Sequence, residues 1–168
     1  MGEYIFQRLE DGTNCAMKYM GEDKKVVIPE LENVSIMYDD LFKGHIEIEE
    51  VVIPDTVKEI GGFVFDGCYK LLEIELPKNL QSMWQYAFTR CGLKSISIPG
   101  SVHSIISYAF NDCRNLTTVH LNEGTKKICA WAFKDCTSLK DIYVPKSVTE
   151  ISDKAFEGCN DVEIHWEK

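Results

Sequence analysis

Residues 96–113 read Ile96-Ser97-Ile98-Pro99-Gly100-Ser101-Val102-His103-Ser104-Ile105-Ile106-Ser107-Tyr108-Ala109-Phe110-Asn111-Asp112-Cys113, and this stretch decides the architecture. Ile96 and Ile98 alternate with Ser97, the period-2 mark of a strand with one buried face. Pro99 lacks an N–H and ends the ladder there. Val102 to Ile105 is a second short apolar segment, and Ala109-Phe110-Asn111-Asp112-Cys113 follows with a turn-tolerant residue before the cysteine.

Outward from this stretch the same order returns in both directions. Phe42, Phe65, Phe88, Phe110, Phe133 and Phe156 recur at intervals of 22 or 23 residues. Cys68, Cys91, Cys113, Cys136 and Cys159 keep the same beat, with His45 in the first unit. Pro29, Pro54, Pro77, Pro99 and Pro145 form one column, in which Asn122 fills the missing place. A further column runs Met37, Ile60, Met83, Ile105, Ile128, Ile151. The residue before each cysteine is Gly67, Arg90, Asp112, Asp135 or Gly158, mostly types suited to a tight turn. A unit this short cannot bury its own apolar residues, so neighbours must stack. The sequence therefore predicts a mostly-β fold with short turns and 3-10 segments: a right-handed solenoid of about six rungs with parallel strands over residues 26–168. Its units begin near Val26, Val51, Ile74, Ile96, Val119 and Ile142, and its last strand lies near Val162. With strands about 4.8 Å apart the stack is on the order of 30 Å long.

The units resemble the BspA-type leucine-rich repeat, which reads approximately L-x-x-I-x-I-P-x-S-V-x-x-I-G-x-x-A-F-x-x-C. Ile98-Pro99-Gly100-Ser101-Val102 and Val144-Pro145-Lys146-Ser147-Val148 carry the first half, and Tyr108 to Cys113 carries the second. The resemblance covers roughly residues 26–166. It departs where His45 replaces cysteine, where two extra residues follow Pro29, and at Cys91-Gly92-Leu93 and the last unit, each one residue short. At the N-terminal end, Tyr4 to Leu9 and Cys15 to Tyr19 flank Asp11-Gly12, the pattern of a β-hairpin, and residues 1–25 are assigned as a cap over the first rung. At the other end Trp166 falls in the inward column of Ile98 and Leu121 and is expected to plug the stack.

Composition narrows the function. Eighteen bases against 27 acids give a formal charge of -9, the wrong sign for gripping phosphates, so nucleic acid is not an expected partner. Twelve of those acids lie in the first fifty residues, without the spacing of a calcium-binding loop. No apolar run is long enough for a membrane span, so no membrane insertion is expected. Met1 to Leu9 lacks a basic start followed by an apolar stretch, so no signal peptide is read there. If the chain is complete, that favours the cytoplasm, whereas the resemblance implies a cell-surface or secreted protein.

Chemistry is scarce. Five of the seven cysteines form the repeat column and read as buried small hydrophobes. No C-x-x-C pair offers a zinc site. Cys15 and Cys129 lie outside that column and are the expected exposed thiols. No nucleophile elbow, phosphate loop or H-E-x-x-H occurs. No cofactor, metal or catalytic residue is therefore assigned.

Two surface columns remain. If Ile74, Leu76, Ile96, Ile98, Val119, Leu121, Ile142 and Val144 point inward, their neighbours point outward. The resulting strip holds Glu73, Glu75, Ser97, Thr118, His120, Asp141, Tyr143 and His165, with Val52, Glu50, Ser95 and Glu163 in the same two columns. Those eight residues are the candidate partner-binding set, and the resemblance implies that this sheet is the usual ligand surface. Acidic neighbours favour a protein partner with a basic patch. The other column is Phe63, Tyr86, Tyr108, Trp131 and Lys154, which reads either as a row of aromatics packing ring on ring at the turn edge, the favoured reading, or as an exposed ridge that binds protein or glycan. Three functions follow: a non-enzymatic protein-interaction module, adhesin-like by resemblance; a cytoplasmic scaffold or regulator; or a carbohydrate-binding or carbohydrate-cleaving solenoid.

Overall fold

A computed structural model describes residues 3–168, so the first two residues of the assigned cap lie outside it. In chain order the strands are β1 (Tyr4–Arg8), β2 (Asn14–Tyr19), β3 (Lys25–Val27), β4 (Val34–Met37), β5 (Glu50–Val52), β6 (Glu59–Ile60), β7 (Ser82–Met83), β8 (Ser95–Ile98), β9 (Ser104–Ile105), β10 (Thr118–Leu121), β11 (Lys127–Ile128), β12 (Asp141–Val144), β13 (Glu150–Ile151) and β14 (Glu163–Trp166). One 3-10 turn spans Glu30–Glu32. Most units contribute one strand before the proline column and a second, usually shorter, one after it.

These two kinds of strand stack separately, each in parallel register. β8, β10, β12 and β14 form one ladder, with Ile96 beside Val119, Val119 beside Ile142 and Ile142 beside Ile164. β3 and β5 pair in the same way. The short strands form β4–β6–β7 and β9–β11–β13. β1 and β2 make an antiparallel hairpin with Tyr4 opposite Tyr19, and β2 then runs parallel onto β4. The hairpin is thus an extension of the short-strand sheet, and its Tyr19 ring meets Phe42 of the first rung at 5.3 Å.

The phenylalanine column is the spine of the core. Phe42, Phe65, Phe88, Phe110 and Phe133 are fully buried and stack face to face at 5.0–5.7 Å. Burying each contributes about 1.5–3 kcal/mol, and each stacked pair about 0.5–1.5 kcal/mol more. Beside the spine each cysteine thiol donates to a carbonyl of the preceding rung, as Cys113 does to Phe88 over 2.8 Å. Asn122 shows what the proline column suppresses: its N–H donates to Ile98 O at 3.1 Å, a bond no proline can make.

The turns from Asp40 to Asp135 each carry two left-handed residues four positions apart, whereas in the last turn only Gly158 is left-handed. Tyr86 and Arg90 have φ of 63° and 51°, Tyr108 and Asp112 63° and 57°, Trp131 and Asp135 61° and 59°. An L-residue in this region costs about 1–2 kcal/mol. Inter-rung bonds offset that cost, from Tyr86 N to Tyr108 O and from Tyr108 N to Trp131 O. So does stacking of the rings themselves, at 4.8 Å for Phe63–Tyr86, 5.0 Å for Tyr86–Tyr108 and 5.6 Å for Tyr108–Trp131. Lys43 and Lys154 close the two ends of this stack by lying over Phe63 and Trp131.

Three local expectations are corrected. Residues 73–76 form no strand, so the first ladder is broken between β5 and β8, and Ile74 is only half-buried. In the sequence Glu73 shares a column with Glu50, whose carboxylate is instead paired with Lys25 at 2.7 Å. The next unit is also one residue short at Gly92, where a Cβ would lie 2.0 Å from Tyr69 O. Trp166 does occupy the inward register beside Val144, yet it is 55% exposed, and Ile164 is 38% exposed. A side chain aimed at the core is buried only where another rung covers it. Cys15 is buried at 4% exposure, because β2 is sandwiched between β1 and β4. Of the two cysteines outside the column only Cys129 is partly open.

Candidate functional site

Parallel pairing of β8, β10, β12 and β14 decides what the outward strip looks like. His120 lies beside Ser97 on one side and Tyr143 on the other, and Tyr143 lies beside His165. The three rings stack almost coplanar, at 4.4 Å and 4° for His120–Tyr143 and 4.7 Å and 17° for Tyr143–His165. Their faces cover one another, so the strip offers ring edges to solvent: imidazole nitrogens and a phenol hydroxyl, rung after rung. Rigid strands fix the spacing, and period-2 alternation fixes the direction.

The companion column runs Ser95, Thr118, Asp141, Glu163. His165 Nε2 lies 2.8 Å from Asp141 Oδ1, and His165 Nδ1 lies 3.9 Å from Glu163 Oε1. One imidazole is therefore held between two carboxylates. At the other end of the strip Ser97 Oγ accepts a hydrogen bond from Asn122 Nδ2 at 3.0 Å.

The structure gathers six of the eight strip residues, Ser97, Thr118, His120, Asp141, Tyr143 and His165, on one continuous ladder. Glu73 and Glu75 stand apart, beyond the break. Both are exposed and line a groove of about 470 Å³ with Glu50, Asp55 and Lys78. Sequence reasoning left Glu163 out of the set although it shares a column with Asp141. It also left out a second groove of about 460 Å³ beside the hairpin, where Tyr38 and Trp84 are half-exposed and Trp84 Nε1 donates to Glu59 Oε1 at 2.7 Å. Trp84 follows the Met83 column by one residue, so its outward direction was legible.

A parallel stack of 22–23-residue units on a phenylalanine spine, with its polar chemistry confined to surface columns, defines a leucine-rich-repeat solenoid. The chain belongs to the BspA type leucine rich repeat family, whose model matches residues 35–163 in six copies. Among solved structures it is similar to a leucine-rich repeat protein of T. pallidum, with 25% identity and a TM-score of 0.79 over 96% of this chain and 83% of that one. It is similar to a leucine-rich repeat protein of Bacteroides ovatus at 27% identity and TM-score 0.75, covering 98% of this chain and 52% of that one. A leucine rich cell surface protein of Faecalibacterium prausnitzii matches at 25% identity and TM-score 0.68, over 99% of this chain and 50% of that one. The chain thus spans about half the length of the latter two. No curated protein matches it. Among the described residues no helix is long and apolar enough to cross a membrane.

Proposed function

We propose that the chain is a non-enzymatic protein-interaction module, adhesin-like in role, that binds a protein partner through the strip centred on Tyr143. The observation that carries this reading is the stack of His120, Tyr143 and His165 on three adjacent rungs. A preformed row of polar ring edges loses little conformational freedom on binding, so even a modest contact area gives useful affinity. Tyrosine is enriched among the residues that dominate binding energy, and Tyr143 sits between the two histidines as the natural anchor. Glu73 and Glu75 beyond the break favour a partner with a basic patch and make association sensitive to salt. A location at the cell surface is part of the proposal, supported by the Faecalibacterium prausnitzii cell surface protein that shares the fold.

A photo-crosslinking residue placed at position 120, and in parallel at position 108 on the aromatic ridge, tests which face is used. The reading requires crosslinks from position 120 and loss of the crosslinked protein when Tyr143→Ala is added. Crosslinks from position 108 alone, undisturbed by Tyr143→Ala, would move the interface to the ridge and overturn it.

A further inference from the structure

β12 and β14 place three potential ligands on one outward surface. Asp141 lies beside Glu163 in the parallel register, and His165 follows Glu163 at the next outward position of the same strand. One ligand atom from each of the three lies within 4.8 Å of the other two. The imidazole is already oriented: its face rests on Tyr143 at 4.7 Å and its Nε2 edge is turned to Asp141 Oδ1 at 2.8 Å. Asp141 and His165 are half-buried, and Glu163 is exposed with freedom to close on them. Neither carboxylate has a lysine or arginine in ion-pair range among the described residues, so two negative charges converge on a single imidazole.

We propose that Asp141, Glu163 and His165 bind a divalent transition-metal cation of the zinc class. One imidazole nitrogen with two carboxylate oxygens suits zinc or nickel better than calcium or magnesium, which prefer all-oxygen cages. On binding, the cation takes the lone pair of one imidazole nitrogen while the ring proton stays on the other, Asp141 turns from its hydrogen bond to the cation, and the two carboxylates offset its double positive charge. Three protein ligands leave a fourth tetrahedral position for water or for a side chain of another molecule. The parts are preorganised because two strands of a rigid ladder hold the backbone of all three residues. A hydrogen-bonded His165–Asp141 pair that holds no metal is the competing account, and it gives Glu163 no part. The proposal does not depend on the strip binding a protein: zinc binding and partner binding are read in separate assays.

Isothermal titration of zinc chloride into the reduced full chain provides the test, run on the wild type and on the double variant Cys129→Ser/Cys159→Ser, which removes both partly open thiols as rival ligands. One saturable site is expected in both. His165→Gln, Asp141→Asn and Glu163→Gln should each weaken it by at least about tenfold, since removing a ligand costs no less than removing a group that orients one. His120→Gln should leave it unchanged, and excess magnesium should not compete. In NMR spectra of the wild type, zinc should shift the His165 ring signals and leave those of His103 and His120 in place, a readout that needs no variant to fold. Absence of saturable binding, His165→Gln binding zinc as tightly as wild type, or His165 ring signals unmoved by zinc would each overturn the proposal.

Discussion

The Cys136 thiol donates to the backbone carbonyl of Phe110, 3.0 Å away in the preceding rung. Cys113 and Phe88 at 2.8 Å, and Cys159 and Phe133 at 2.9 Å, repeat the relationship. The cysteine column is therefore more than a filler of small volume. Cysteine is small and apolar enough for the buried turn and still brings a weak donor to a carbonyl facing it.

Thiol labelling should divide the seven cysteines. Cys129, partly open, reacts first, and Cys159, which is also partly open although it belongs to the column read as buried, follows because its thiol is bonded to Phe133 O. Cys15, Cys68, Cys91, Cys113 and Cys136 are buried and should react only through opening of the fold. Burial, reinforced by Asp66, pushes the Cys68 thiol up to about 12, so its reactive thiolate is scarce at neutral pH. Mass-spectrometric labelling of the native chain checks this, and rapid modification of Cys68 would contradict it.

The same shifts make the fold sensitive to alkali. Cys68 is raised from 9.0 to about 12 by burial, and Tyr19 from 10.0 to about 12 by burial together with its hydrogen bond to Asp23. A raised acid keeps its proton in the folded state while the unfolded chain releases it. That stability is complete below the ordinary values and is lost as pH rises through them toward 12. The urea midpoint should be lower near pH 10.5 than at pH 7, and an unchanged midpoint would refute the linkage.

Phe110→Ala should cost about 3–5 kcal/mol, the transfer term plus a cavity in a fully buried column. Phe110 lies between Phe88 at 5.1 Å and Phe133 at 5.3 Å, so the cavity opens in the middle of the spine. Denaturant melts of the variant and wild type measure it.

On the ridge, Tyr108→Ala should destabilise by about 1–3 kcal/mol through two lost ring contacts. Tyr108→Gly should be more stable than Tyr108→Ala by about 1 kcal/mol, since φ of 63° penalises any Cβ at that position. Ordinarily glycine is the worse of the two, so the reversed order is diagnostic of the left-handed backbone.

Tyr143→Ala also removes two stacked neighbours, but at an outward position that solvent reaches. It should lower stability by no more than about 1.5 kcal/mol and leave the fold intact. A circular dichroism melt alongside Phe110→Ala separates this surface effect from a core one.

Much of the fold was legible because a repeat translates sequence spacing into spatial neighbourhood. Six phenylalanines at 22–23-residue intervals can only stack, and Ile96, Val119 and Ile142 can only share a face once the strands are parallel. The strip followed from the same alternation, which is why Ser97, Thr118, His120, Asp141, Tyr143 and His165 were found together.

The sequence alone determined the order of the columns, their inward or outward direction, and the resemblance to the family, because period 2 within a strand and a fixed period between rungs are properties of the chain itself. Tertiary structure decided whatever depends on the neighbour actually present. Trp166 keeps its inward register but is exposed because none of the described residues stacks over it, while Cys15, outside every column, is buried because two strands flank it. Glu73 and Glu75 leave the ladder where it breaks before the shortened unit at Gly92. The meeting of His165 with Asp141 and Glu163 is of the same kind. Sequence set those residues in adjacent columns, but side-chain rotamers, free to turn about their own bonds, brought their polar atoms together.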